Sequence, residues 1–173
     1  YATNTGWKAV AGFGPGAAYT NPVLPAGSAV WIRGSTTNDR KVAVAGEIVL
    51  TGAATNTLVP GLQLIANPFS EQVALSNLAI RVNAEGHYNN AGQADQIMVW
   101  NAGAQGYQNL ALYDLRSFGS QYDYLTGWKA VAGFGPTSAY VNVTLKPGDG
   151  FWFRTVNGSF TWVETNDYKA GLE

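Results

Sequence analysis

A chain of 173 residues can bury a sizeable core as one domain or two small ones. Charged residues make up 12% and the formal net charge is −1, with Lys and Arg scattered singly, so there is no basic patch to neutralise nucleic-acid phosphates. Cysteine is absent, which excludes disulfides and thiolate chemistry, and no apolar run approaches the ~20 residues of a membrane-spanning helix.

In chain order, the first feature is TGWKAVAGFGP at 5–15, an apolar strand ending in a Gly-rich turn. LPAG at 24–27 joins Pro-fixed φ to a permissive Gly and predicts a turn feeding a strand over 28–33, where Val30 and Ile32 alternate with Ala29, Trp31 and Arg33. Residues 42–50 (VAVAGEIVL) read as another strand, broken or bulged at Gly46, and GLQLIAN at 61–67 as a further one. Over 70–82 (SEQVALSNLAIRV) the apolar spacing fits either a short helix or an irregular edge, and 83–95 is a polar, Gly-containing loop. IMVWN at 97–101 is strand-like, TGWKAVAGFGP recurs at 126–136, and AYVNVTL at 139–145 sets Val141, Val143 and Leu145 against Tyr140, Asn142 and Thr144. KPGD at 146–149 is a second Pro-Gly turn, and NGS at 157–159 reads as a hairpin turn between GFWFRT and SFTWVE. Roughly ten short strands at such spacings predict an all-β antiparallel sandwich or sandwich-like barrel.

The two eleven-residue copies extend into a longer repeat. Residues 5–33 align with 126–154 at an offset of 121 and are identical at 18 of 29 positions, including Tyr19/Tyr140, Gly27/Gly148, Trp31/Trp152 and Arg33/Arg154. A fainter third copy runs from Gly61 to Trp100, 39 residues apart against 25 in the other two. The expected organisation is an N-terminal half-module at 1–60 and a complete β module at 61–173, packed as one globular unit.

The order GLQLIANPFS (61–70), DQIMVWNAGAQGY (95–107) and LKPGDGFWFR (145–154) resembles β-sandwich repeat modules of bacterial secreted and cell-surface proteins. That resemblance covers about 61–164, with its second half recurring at 5–33, and departs from the family pattern by placing Ala66 where Gly is common. It implies a non-catalytic extracellular module for display, adhesion or assembly, and brings no active-site residues.

Catalytic readings find little support. His87 is the sole histidine, it sits in the polar loop, and no G-x-S-x-G motif is present. Asp95, Asp114 and Asp123 are candidate paired carboxylates for glycoside hydrolysis, although turn-capping acids facing water explain them better. No metal signature occurs, so no metal or other cofactor is expected. Trp31, Trp100 and Trp152 recur at equivalent strand positions, which favours core or interface packing over ligand binding. Lys8 and Lys129 are equivalent lysines within apolar strands, expected to snorkel to the surface rather than to cross-link covalently to Asn or Asp.

Low charge, a duplicated segment near opposite ends and an unmatched half-module lead to the expectation of a non-enzymatic, secreted structural subunit. The first residue is Tyr1 rather than Met, in keeping with a removed leader and an extracellular or cell-surface location. Such a subunit would self-assemble by β-strand addition into a filament or surface array. Its expected interface residues are Trp7, Val10, Phe13, Trp128, Val131 and Phe134. The alternative is a carbohydrate-binding or adhesion module using Tyr122, Asp123, Tyr124 and Trp128 against glycans.

Overall fold

The computed structural model describes residues 52–69 and 71–165 throughout, together with 7, 8, 18–20, 23, 24, 27–30 and 32, of which 7, 8, 19 and 20 are described as backbone only. The expected strand at 42–50 and the residues Val10, Phe13 and Trp31 lie outside the described residues. Among those described, the fold is all-β and sandwich-like.

Two short N-terminal strands, β1 (Trp7–Lys8) and β2 (Tyr19–Thr20), pair antiparallel. They are followed by β3 (Ala53–Leu58), β4 (Gly61–Ala66), β5 (Val73–Ala74), a one-turn helix α1 (Ile80–Asn83), β6 (Gln96–Asn101) and β7 (Gly106–Tyr113). The chain closes with β8 (Gly127–Ala130), β9 (Thr144–Leu145), β10 (Gly150–Thr155) and β11 (Phe160–Thr165). The main sheet is antiparallel in the order β4-β10-β6-β7-β8. A second layer contains the β3–β11 ladder, the β5–β9 pair, α1 and the 3₁₀ turn Leu75–Asn77.

Period-2 alternation decides which face of β10 is buried. Phe151, Phe153 and Thr155 point into the core, whereas Trp152 and Arg154 point outward. The inner face continues through Ile65, Ile97, Leu110, Leu112 and Trp128, and the second layer meets it with Leu58, Leu75, Leu78, Ile80, Leu145 and Trp162. An aromatic chain crosses the two layers: Trp128 packs edge-on against Phe153 at 6.5 Å, and Phe153 against Phe160 at 5.9 Å. Such contacts add about 0.5–1.5 kcal/mol each beyond the area they bury.

The 157–159 turn is not a hairpin. Both edges of β10 are already occupied, by β4 and β6, so β11 has no place beside it and crosses to pair with β3. The segment 70–82 is neither one helix nor one edge, but strand, 3₁₀ turn and helical turn in succession. At 139–145 the expected alternation of burial holds, although only Thr144–Leu145 enters a ladder.

The two repeat copies share backbone details at the 121-residue offset. Lys8 pairs with Tyr19 as Lys129 bridges to Tyr140. Gly27 and Gly148 adopt φ of +80° and +82° in the two Pro-containing turns, a conformation that disfavours any residue with a Cβ. Downstream of these turns both copies reach β4, on its opposite edges: Ser28 bridges Ile65 on one, and Phe151 pairs with Ile65 on the other. β3 and β11 fall on opposite sides of the expected 60/61 boundary yet form one six-residue ladder.

Because Phe153 links the two layers, Phe153→Ala should lower unfolding free energy by about 3–5 kcal/mol. Urea denaturation would measure this as a fall in midpoint at unchanged slope.

Candidate functional site

The second copy of the repeated motif folds around a tryptophan and a lysine that face opposite ways. Leu112 and Ala111 on β7 oppose Trp128 and Lys129 on β8, so the indole enters the core while the lysine lies on the outer face of the sheet. Lys129 does not snorkel: its residue is 1% exposed. Its Nζ donates to the Gly135 and Pro136 carbonyls at 2.9 and 3.2 Å and lies 3.6 and 4.6 Å from the ring centroids of Tyr113 and Tyr140. The outer face is therefore roofed at this end by the loop that completes the motif. Burial pushes the Lys129 amine below the usual lysine range, while the carbonyls and π faces favour its charged form. Among the described residues Nζ bonds backbone carbonyls and no Asn or Asp side chain, the geometry of a carbonyl cage.

The expected contact residues of this copy serve the fold. Trp128 is 2% exposed and cannot act as an anchor for another molecule, and its buried side-chain N–H has no hydrogen-bond partner among the described residues. Val131 donates its backbone N–H to Asn109 at 3.0 Å, and Phe134 sets its ring 6.0 Å from Tyr113 under the roofing loop. In the first copy, the side chain of Trp7 lies outside the described residues. The alternative glycan group is also divided. Tyr124 is 78% exposed and Asp123 exposed on the 3₁₀ turn Ser120–Leu125, Tyr122 is half-buried, and Trp128 lies in the core.

Farther along, the same outer face is partly exposed. Trp152 on β10 opposes Leu64 on β4 and Met98 on β6, and Trp100 opposes Tyr107 on β7. Trp100 meets the Tyr107 ring edge-on at 5.1 Å, and Trp152 Nε1 donates to Tyr107 Oη at 3.2 Å, so the three aromatics hold one another in place. With Val30, Leu64 and Gly150 they line a shallow cleft of about 180 Å³. Trp100 is 41% and Leu62 52% exposed. Trp100 and Trp152 thus belong to a surface and not to the core, which narrows the sequence-based expectation of core or interface packing. The signal was in the sequence: Trp152 sits between inward-facing Phe151 and Phe153 in a period-2 strand, so it had to face outward.

The candidate catalytic groups are tied up locally. Asp95 is wholly buried and accepts from Val156 N at 2.7 Å and Glu85 N at 2.9 Å. Burial raises its pKa above the ordinary carboxylate value, against the opposing effect of those two N–H donors. Native Asp95 thus binds a proton more readily than unfolded Asp95, and its contribution to stability declines as pH rises through the interval between the two values. For Asp114 burial also pulls upward, but Arg116 outweighs it: the guanidinium at 2.6 Å and the Arg116 N–H at 2.7 Å hold the carboxyl below its usual range. His87 Nδ1 accepts the backbone N–H groups of Asn89 and Asn90 at 3.2 and 3.0 Å, which sets that nitrogen as the acceptor. Among the described residues no group of three or more His, Cys, Asp or Glu is placed to hold a metal, and no helix is long and apolar enough to cross a membrane.

A cavity of about 280 Å³ lies at the other layer between Asn67, Glu71, Asn77 and Glu164. Its polar groups are engaged in holding the fold: Asn67 bonds Glu71 O and Phe69 N, and Glu164 Oε2 accepts from Ala79 N and Trp162 Nε1. Comparison with protein-family models, curated proteins and solved structures found no match to this chain.

Two measurements test this description. Replacing Lys129 by Met keeps the apolar stem and removes the ammonium, so it should cost about 1–3 kcal/mol and raise amide exchange at Val131 and Phe134, beneath the roofing loop. For Asp114, the depressed pKa means its stabilising effect is complete above the ordinary carboxylate value, about 3.9, and is lost as pH falls through the folded value. Asp114→Asn should therefore flatten the acid limb of the stability curve below the ordinary carboxylate value.

Proposed function

We propose that this chain is a non-enzymatic structural subunit, extracellular in setting, that associates with copies of itself through the partly exposed outer face of its main sheet. The observation that carries this reading is the Trp100–Tyr107–Trp152 cluster. Three aromatics, fixed to one another by an edge-on contact and a hydrogen bond, stand on a solvent-facing sheet and not in loops. Tyr and Trp are the residues that most often dominate protein interfaces, and rigid ones lose little entropy on being covered. Their neighbours Leu62, Leu64 and Met98 are aliphatic, which suits another protein surface better than a sugar, whose hydroxyls need polar partners.

Charge supports the same reading. At 12% charged residues and net −1, copies of this chain repel one another weakly and desolvate few ions on contact. A non-catalytic role is supported by the commitment of Asp95, Asp114 and His87 to holding backbone and side-chain partners. The sheet face replaces the repeated motif as the contact, because Trp128 of that motif is enclosed in its own molecule.

Sedimentation velocity and electron microscopy of the full chain test this. Assemblies should be present in the wild type, and Trp100→Ser and Trp152→Ser should each weaken association at least about tenfold, equivalent to about 1.4 kcal/mol. A wild type that remains monomeric at its highest soluble concentration, or variants that assemble unchanged, would remove the proposal.

A further inference from the structure

The polar loop after α1 and the turns after β7 meet in a second aromatic cluster, away from the sheet face. His87 and Tyr88 stack at 5.0 Å with ring planes 20° apart, and Phe118 meets Tyr88 edge-on at 5.2 Å and 89°. Tyr88 is 40% and Phe118 56% exposed, so two large rings are presented to solvent from loops. Singly exposed aromatics are ordinary on a protein surface. Two held rigidly together are a different matter.

The rigidity has identifiable sources. His87 is bonded to β7 through its backbone, donating to Leu112 O at 3.0 Å and accepting from Asp114 N at 3.4 Å. Its ring is oriented by the two N–H groups that Nδ1 accepts. On the other side, Arg116 grips Asp114 and also donates to the carbonyls of Val82 and Ala84 at 3.0 and 3.3 Å, which ties the Phe118 turn to the segment before the loop. Phe118 N donates to Leu115 O at 2.9 Å and closes that turn. Nothing in the core requires this arrangement, since neither Tyr88 nor Phe118 belongs to the hydrophobic cluster.

The surroundings identify the chemistry of a ligand. Residues 86–93 contain no aliphatic side chain larger than Ala, and Asn89 and Asn90 stand exposed beside Tyr88. The adjacent charges, Asp114 and Arg116, neutralise each other at 2.6 Å. Two exposed rings set perpendicular to each other, with side-chain amides beside them, match a neutral pyranose. Its C–H face can lie on an aromatic ring while its hydroxyls exchange hydrogen bonds with side-chain amides.

We propose that the exposed Tyr88 and Phe118 rings, with Asn89 and Asn90, form a binding site for a neutral polysaccharide. It is separate from the sheet face carrying Trp100 and Trp152, so binding and self-association can fail independently.

Affinity electrophoresis of the full chain through gels containing mixed-linkage β-glucan, xylan or galactomannan, with chitin and cellulose pull-downs, tests the site. At least one of these five should retain the wild type. Phe118→Ala and Tyr88→Ala should each weaken that retention about tenfold or more, with the thermal midpoint within a few degrees of wild type. Phe118→Trp, which keeps a flat ring, should retain it, and so should Trp100→Ser. No retention by any of the five, or equal retention of wild type and both alanine variants, overturns the proposal. Should an alanine variant not fold, Asn90→Ala together with Phe118→Trp decides the matter: retention unchanged in Asn90→Ala and lost in Phe118→Trp contradicts it.

Discussion

The Asp95 carboxylate is the constraint on which the arrangement of strands depends. One oxygen holds Glu85 N at the loop after α1, the other holds Val156 N where the chain leaves β10, and the Asp95 backbone carbonyl accepts Leu112 N from β7. Three distant parts of the sequence, at 85, 112 and 156, are therefore fastened to one residue at the start of β6. A carboxylate is suited to this because it offers only acceptors, and several backbone N–H groups can converge on it. Taking it out of water opposes ionisation, and the donors compensate in part, a balance expressed in its raised pKa. The crossover at Val156 is what sends β11 to the opposite layer, and with it Phe160 and Trp162 over the face presented by Phe153.

The repeated motif gains a physical reading from its second copy. One residue of TGWKAVAGFGP fills the core and the next is enclosed on the opposite face by carbonyls from the end of the same motif. Trp, Lys and the Gly-Pro turn consequently constrain one another over nine residues, from Trp128 to Pro136. That interdependence gives a local reason for identity across the whole string, where core packing alone would tolerate hydrophobic exchange. The matching registers of Lys8 with Tyr19 and Lys129 with Tyr140 extend the parallel to the strand that follows.

Much of the architecture was legible because it rests on local rules. Alternation at 139–145 gave the correct faces, and the Gly27 and Gly148 turns have the backbone their Pro-Gly context suggests. What could not be read depends on long-range occupancy. The 157–159 segment has good hairpin chemistry, but β4 and β6 had already taken both flanks of β10, and neither is near it in sequence. Lys129 was unreadable for a similar reason, since its environment needs Tyr113 from β7 as well as the motif itself. The aromatic sites divide along the same line. Trp152 declares its outward direction through its neighbours, whereas Tyr88 and Phe118 lie in irregular segments thirty positions apart, where no periodicity brings them together.

The position of β10 has a consequence for how the molecule comes to exist. The meander β6–β7–β8 pairs neighbours in sequence and can form early, but β10 is inserted between β4 and β6, strands made well before it. Until residues 150–155 are available, β4 and β6 each present an unsatisfied edge, and β3 waits for a partner more than a hundred residues later. Pairings of such high sequence separation are slow, because chain closure precedes any reward from contact. During synthesis from the N-terminus, a chain whose β10 and β11 are still to come is thus an open template for mispairing, and low charge gives it little protection. The same poverty of charge makes the half-made chain, with its strand edges still unpaired, the vulnerable species.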